Sequence, residues 1–308
     1  MSAPSRATAR ATPGALGLAF GLNLALGATY FGTKRALEGL PELSVVALRT
    51  IVAAFVLVPL TGLGPLRTLF GGGRETWLPL LAMGIGGYAL PLALGSYGVA
   101  WSSATNAALL IGVEPISVML LGALVLGERL APLRSVAIGL GLVGATTIVA
   151  NGIPFLGTRY APHLLGDLVL VAHGAAWAIY TIAAKGLVGR HPSLVVTTAA
   201  IVVALPLLVA LAALELPAIR LGPTLLPALA WAAALGLFAS ALGTLLWNRA
   251  LEQMDASTLA GFVFLQPVAG VLLGTLVLGE RTSPWALLGG ALVFAGVYAL
   301  VSAERRRG

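Results

Sequence analysis

Two charged residues stand where charge is costly. Arg49 falls about six residues into the apolar run 43–63, and Glu114 about ten residues into the run 104–126. On a helix rising 1.5 Å per residue these depths are roughly 9 and 15 Å from the same membrane face. The difference of roughly 6 Å is within the reach of an arginine side chain. A charge at the centre of a bilayer costs at least ~2.5 kcal/mol, so each needs a partner or a task. Two chemistries fit: a structural ion pair that neutralises both groups, or a pair of substrate anchors of opposite sign. In the second, the carboxylate could also take up and release a proton.

Other polar and aromatic side chains gather in the same kind of run. They are Asn23 and Tyr30, then Tyr88, Ser96 and Tyr97, then His173, Trp177, Tyr180 and Thr181, and finally Ser240, Thr244, Trp247 and Asn248. From His173 to Thr181 the steps of three and four keep imidazole, indole and hydroxyls on one helix face. Such a face is either a satisfied polar contact between helices or the wall of an amphipathic binding cavity. The candidate substrate-binding set is therefore Arg49, Glu114, Asn23, Tyr30, Tyr88, Tyr97, His173, Trp177, Tyr180, Thr244, Trp247 and Gln266. No His-Glu-x-x-His zinc motif, phosphate-cradling Gly-x-x-x-x-Gly-Lys-Ser/Thr or Gly-x-Ser-x-Gly serine elbow occurs. Cysteine is absent. Two of the three histidines, His163 and His191, fall in loops. The sequence thus offers no catalytic residue, metal site or cofactor site.

What must position these residues is lipid-embedded. Of 308 residues, 58% are hydrophobic and 9% charged, whereas soluble domains carry about 25% charged residues. The net charge of +7 is spread over short loops without a basic patch, which argues against a nucleic-acid partner. Polar or Pro/Gly-rich breaks leave ten apolar segments near 14–33, 43–63, 77–97, 104–126, 133–151, 164–184, 193–214, 224–247, 257–278 and 285–303. Each is long enough to cross as a helix, which satisfies its own backbone in lipid. The first is read as a retained helix, not a cleaved signal peptide.

With the N terminus inside, cytoplasmic stretches carry Arg6, Arg10, Arg67, Arg74, Arg129, Arg134, Lys185, Arg190, Arg249 and Arg305 to Arg307. The opposite side has only Lys34, Arg35, Arg159, Arg220 and Arg281. The positive-inside rule therefore places both termini in the cytoplasm.

The segments repeat. Glu114-Pro115, Leu126-Gly127-Glu128-Arg129 and Pro132 recur as Gln266-Pro267, Leu278-Gly279-Glu280-Arg281 and Pro284, each 152 residues later. Lys34 and Lys185 stand 151 apart. Segments one to five thus correspond to six to ten. Five is odd, so the second half enters from the opposite face. The expected fold is an all-α polytopic membrane protein of ten transmembrane helices in two inverted five-helix repeats, with a substrate site near the midplane. The expected organisation is a cytoplasmic tail (1–13), a first repeat (14–151), a linker (152–163), a second repeat (164–303) and a basic tail (304–308).

Pro115 and Pro267 free the carbonyls of Ile111 and Val263 within long spans. We read both as hinges or cavity-lining kinks. Glu114 is matched by Gln266 and Arg49 by Ala200, so any charge-dependent step belongs to the first half. Ala137, Gly141 and Ala145 share a face in span five, as do Ala291, Ala295 and Ala299 in span ten. They fit close packing within the chain or a homodimer contact.

Ala47-Leu48-Arg49, Glu114-Pro115 with Leu126-Gly127-Glu128-Arg129, and Gln266-Pro267 with Leu278-Gly279-Glu280-Arg281 make the chain resemble the EamA family of the drug/metabolite transporter superfamily. The resemblance covers residues 14–303 as two copies of a five-helix unit. Where the family has Trp-Gly in the first helix this chain has Leu26-Gly27, while the second half keeps Trp177. The resemblance implies a ten-helix carrier of the bacterial inner membrane, often an exporter of amino acids, other metabolites or toxic compounds. Glu128 and Glu280 follow the family pattern and are assigned to loop structure. The expected function is a secondary transporter working by alternating access, moving a small amphipathic, amino-acid-like molecule outward, with a proton as candidate coupling ion. An uncoupled facilitator or importer is the nearest alternative. A membrane-embedded enzyme and a structural module are more distant.

Overall fold

The computed structural model describes residues 13–126, 132–150, 163–254 and 256–305. Among these the chain is helical throughout, with no strand. The first-copy Gly127-Glu128-Arg129, most of the linker, the N-terminal tail up to residue 12 and residues 306–308 lie outside the described set.

In chain order the helices are α1 (Pro13–Ala36), α2 (Glu42–Thr61), α3 (Leu63–Phe70) and α4 (Arg74–Trp101). Then come α5 (Ala104–Leu110), α6 (Val113–Leu126), α7 (Pro132–Ala150) and α8 (Leu164–Val188). The rest are α9 (Ser193–Ala213), α10 (Leu225–Gln253), α11 (Ala256–Gly261), α12 (Leu265–Leu276) and α13 (Pro284–Arg305). Six of them, α1, α2, α4, α8, α9 and α10, are long and apolar enough to cross a membrane. Large apolar side chains such as Phe55, Leu124 and Leu221 point outward, 80%, 82% and 91% exposed. Such a surface suits lipid and not water. The chain is a polytopic membrane protein.

Three features depart from ten plain spans. α4 and α10 run past 97 and 247, to Trp101 and Gln253. The segment between α2 and α4 is helical: α3 buries Leu66 and Leu69, and Phe70 stacks on Trp77 at 5.5 Å. Spans four and nine are interrupted. α5 ends at Leu110 and α6 begins at Val113, with the Glu114 amide donating to the Ile111 carbonyl at 2.8 Å. α11 and α12 are separated by a 3₁₀ turn, Phe262–Phe264. Both breaks lie just before the prolines, whose missing N–H cannot continue the ladder to Ile111 or Val263.

Helices at the repeat interval pack on one another, α2 on α9 and α7 on α13, and in the interrupted spans four and nine α5 packs on α12. Other contacts exchange between halves. A Cβ on Gly84 would lie 2.9 Å from the Ala200 carbonyl oxygen and from Val203. One on Gly236 would lie 2.7 Å from the Arg49 carbonyl oxygen and from Val52. Gly84 and Gly236 are 152 residues apart; Arg49 and Ala200, and Val52 and Val203, are each 151 apart. Lys34 Nζ donates to the carbonyls of Val99 (3.0 Å) and Ser102 (3.3 Å) at the end of α4. Lys185 Nζ donates to those of Leu251 (2.7 Å) and Met254 (2.8 Å) at the end of α10. Each ammonium thus meets the negative end of a helix. Gly144 faces the Gly289 backbone across α7 and α13, with Gly141 against Ile116. Small residues there serve packing within the chain, while Ala291 and Ala295 are exposed.

Candidate functional site

α4 and α10 each contain a π-helical stretch, Ala82–Ala89 and Leu235–Gly243. Wider turns rotate the following residues relative to an α-helix, and such stretches are frequent at functional sites. Here they deliver Tyr88 and Ser240, 152 residues apart, to one central cavity. Gly87 allows this by letting α4 touch the Tyr180 backbone of α8, where any side chain would intrude.

Seven helices contribute to the wall. Of the sequence-derived candidates, Arg49, Glu114, Tyr30, Tyr88, His173, Trp177, Tyr180, Thr244, Trp247 and Gln266 line the cavity. Thr29 and Thr33, which the sequence reading passed over, line it too. Their spacing of one back and three on from Tyr30 places them on adjoining faces of α1. The cavity reaches from mid-helix toward the ends of α1, α2 and α4 that adjoin the 37–41 and 102–103 turns, through Thr33, Val45 and Val99.

Asn23 and Tyr97 are not among the lining residues. Asn23 is fully buried behind the wall, where its amide donates to the Ala19 carbonyl at 2.9 Å. Its Oδ1 accepts from Gln266 Nε2 at 3.0 Å, which orients the Gln266 amide. Tyr97 packs against Trp101 and donates to Glu215 Oε1 at 3.2 Å, while the Ser44 amide donates to Glu215 Oε2 at 2.9 Å. Asn248 orients Tyr180 as a donor, to its hydroxyl at 2.8 Å, and also donates to Thr197 Oγ1 at 2.7 Å. Pro115 and Pro267 lie beside the helix breaks and not on the wall.

The two charges do not pair. Arg49 Nε donates to Ser240 Oγ at 2.8 Å, a bond from the first half to the second. Among the described residues the ion pair within 4 Å is Arg35–Glu38. No hydrogen bond from a described residue reaches the Glu114 carboxylate or the two terminal nitrogens of Arg49. Glu114 lies in the first turn of α6, where the helix end favours negative charge. A cation and an anion therefore line one cavity, and among the described residues neither the Glu114 carboxylate nor the terminal guanidinium nitrogens have a hydrogen-bond partner. The same wall carries a continuous edge-to-face series: Tyr30 to His173 (6.3 Å), His173 to Trp177 (6.3 Å) and Trp177 to Tyr180 (5.6 Å). Such contacts fix ring orientation as well as burying apolar area.

Many lining residues fall at the repeat interval in sequence but differ in chemistry. Glu114 and Gln266, Tyr88 and Ser240, Leu92 and Thr244, and Gly95 and Trp247 are lining pairs 152 residues apart. Leu26 and Trp177, and Thr29 and Tyr180, are lining pairs 151 apart.

Glu280 has a larger structural part than a loop residue. Its Oε1 accepts from the Ala104 amide at 2.9 Å, and its Oε2 from the Thr105 amide at 2.9 Å and hydroxyl at 2.7 Å. It caps α5 from the other half of the chain.

Comparison with known proteins agrees with this picture. The model of the EamA-like transporter family matches the chain twice, over residues 14–150 and 164–302. A probable terminal-alkyne amino-acid exporter of Streptantibioticus cattleyicolor is 30% identical over 241 residues, 76% of each chain. A probable amino-acid metabolite efflux pump of Salmonella typhimurium is 26% identical over 91% of this chain and 92% of its own. A solved crystal structure superposes with a TM-score of 0.66 at 21% identity, covering 95% of this chain and 98% of that one. At that identity the likeness speaks to the fold.

Proposed function

The chain belongs to the EamA-like transporter family, and from that premise we propose that it exports a small zwitterionic, amphipathic molecule of the amino-acid class by alternating access. The observation that carries the substrate class is that Arg49 and Glu114, not paired with each other, share one wall with the aromatic series. A carboxylate would meet the guanidinium, an ammonium would meet Glu114, and an apolar side chain would lie along Tyr30 and Trp177. Charge-assisted contacts of this kind are about twice as strong as neutral ones. Export is supported by the names of the two relatives above, an exporter and an efflux pump.

The carrier has ten crossings in two inverted halves, 14–151 and 164–303. The exchanged Gly84 and Gly236 contacts, and the self-pairing of α2 with α9, support that arrangement, as a two-fold relation would generate both. Pro115 and Pro267 serve as hinges beside the breaks of spans four and nine. Both termini lie in the cytoplasm and the protein resides in the inner membrane, so the cavity reaches toward the outer face. Glu114 carries the coupling proton: substrate ammonium and proton compete for one carboxylate, which links their fluxes.

The test is flux in proteoliposomes. Amino acids, sugars and organic cations are screened with and without a pH gradient, for the wild type and Glu114→Gln. Amino-acid flux that follows the gradient, and that loses the dependence in Glu114→Gln, supports the reading. Flux confined to sugars, or equal pH dependence in both proteins, refutes it.

A further inference from the structure

We propose that His173 is a fixed hydrogen-bond acceptor, held as the Nδ1–H tautomer, whose Nε2 lone pair reads an N–H or O–H donor on the apolar part of the transported molecule. This rests on the transport reading of the central cavity and adds a third recognition point to its two charges.

The tautomer follows from one contact. His173 Nδ1 lies 2.7 Å from the Pro91 carbonyl oxygen. A carbonyl only accepts, so Nδ1 must carry the proton, and the other ring nitrogen then has the lone pair. The ring cannot slide away from this position. It sits over Gly95, where a Cβ would come within 2.8 Å of Cε1 and of Nδ1. Its plane is set by edge-to-face contacts with Tyr30 on one side and Trp177 on the other, interplanar angles 83° and 84°.

Nε2 has no partner among the described residues, although His173 is only 5% exposed and lines the cavity. A buried acceptor left without a donor carries an uncompensated desolvation cost. An occupant that supplies the donor recovers that cost, and one that lacks it does not. The acceptor stands within the aromatic series, along which the occupant's side chain lies in the reading above, so it discriminates among side chains. A phenol or an indole offers the donor; a bare phenyl ring does not. Sites built around a hydrogen bond reject analogues lacking it more strongly than apolar pockets reject extra methylenes.

The experiment uses the full chain in proteoliposomes with His163→Gln and His191→Gln, so that His173 is the single histidine. Labelled-histidine solid-state NMR should show a protonated Nδ1 and a bare Nε2 in the absence of substrate. Saturating L-tyrosine should move the Nε2 resonance toward the hydrogen-bonded range, and L-phenylalanine should not. In flux, L-tyrosine should be preferred over L-phenylalanine by roughly tenfold in kcat/KM, one hydrogen bond's worth. His173→Phe should bring the ratio near one, and His173→Gln, which offers a carbonyl acceptor, should restore part of it. A protonated Nε2, an Nε2 resonance unmoved by transported L-tyrosine, or an equal ratio in wild type and His173→Phe would each overturn the proposal. If His173→Phe does not fold, the spectrum decides alone. Absence of flux for every amino acid would instead remove the amino-acid reading of the cavity, and the spectrum would still decide the tautomer.

Discussion

Arg49 gives the sharpest prediction, because a single bond ties the cavity's cation to the opposite half. Nε donates to Ser240 Oγ at 2.8 Å, so the guanidinium plane of a residue that lines the cavity is set from the second half. A hydrogen bond to a charged group contributes ~1.5–3 kcal/mol. Part of that is recovered in Ser240→Ala when cavity water reaches Nε, leaving a net loss of ~1–2 kcal/mol. At 1.4 kcal/mol per factor of ten, KM should rise by about 5- to 30-fold, with kcat changing less. Arg49→Lys keeps the charge but cannot bond Ser240 and a substrate carboxylate with one planar fork. Its KM should rise at least as far. The two effects should not add: in Arg49→Lys the Ser240 hydroxyl has lost its role, so Ser240→Ala on that background should cost little. The expected coupling is ~1 kcal/mol or more. The assay is initial-rate flux of a transported labelled amino acid in proteoliposomes, with reconstituted protein quantified for each variant. Full additivity of the two substitutions would refute the positioning of Arg49 by Ser240. An unchanged KM in Arg49→Lys would refute its contact with the substrate.

Three further outcomes are expected. Glu280→Ala removes the carboxylate that caps α5 through two amides and a hydroxyl; it should lower stability by ~1–2 kcal/mol, seen as a Tm several degrees lower in detergent, and an unchanged Tm would argue that the cap is replaced by water. A reporter fused after Gly308 should be active only if it works in the cytoplasm, since the positive-inside count places that end there; activity of a periplasm-only reporter would reverse the topology. The chain has no cysteine, so Gly141→Cys gives one thiol, directed at Ile116 within the packed interior, and oxidative crosslinking in membranes should give no dimer; a strong dimer band would establish contact between chains through α7.

Legibility differed by physical cause. Charge in lipid has a large cost, so Arg49 and Glu114 were visible from sequence alone, and both face the cavity. Apolar runs bounded by Pro and Gly located the helices, because hydropathy reports an average over many residues. The prolines signalled where spans four and nine would be disturbed, since the lost donor is a local property. The π-helical stretches left no such mark: Ala82–Ala89 and Leu235–Gly243 read as ordinary small and apolar sequence. Their extra residue per turn decides that Tyr88 and Ser240 share a cavity. Nor did polarity separate Trp177 from Tyr97. Both are aromatic residues in apolar runs, and only the Glu215 carboxylate, which comes from the end of α9, draws Tyr97 away. Lys34 was legible as a topological charge, but not as the group closing the end of α4, which depends on how α1 crosses it.

The mismatch between geometry and chemistry has a mechanistic consequence. Contacts such as those of Gly84 and Gly236 recur at the repeat interval. The alternating access proposed above requires two conformations of comparable energy, and a scaffold with such repeated contacts suits that requirement. Substrate binding must then bias the two states unequally, because a ligand with equal affinity for both shifts nothing. Symmetric chemistry on a symmetric wall would give equal affinity. Replacing Glu114 by glutamine at 266, and Arg49 by alanine at 200, breaks that equality. Ser240 links the cavity's guanidinium to the half that contributes none to the wall. On the proposed reading, relative movement of the halves would stretch or redirect that bond and so couple substrate held by Arg49 to the conformational change through one hydroxyl.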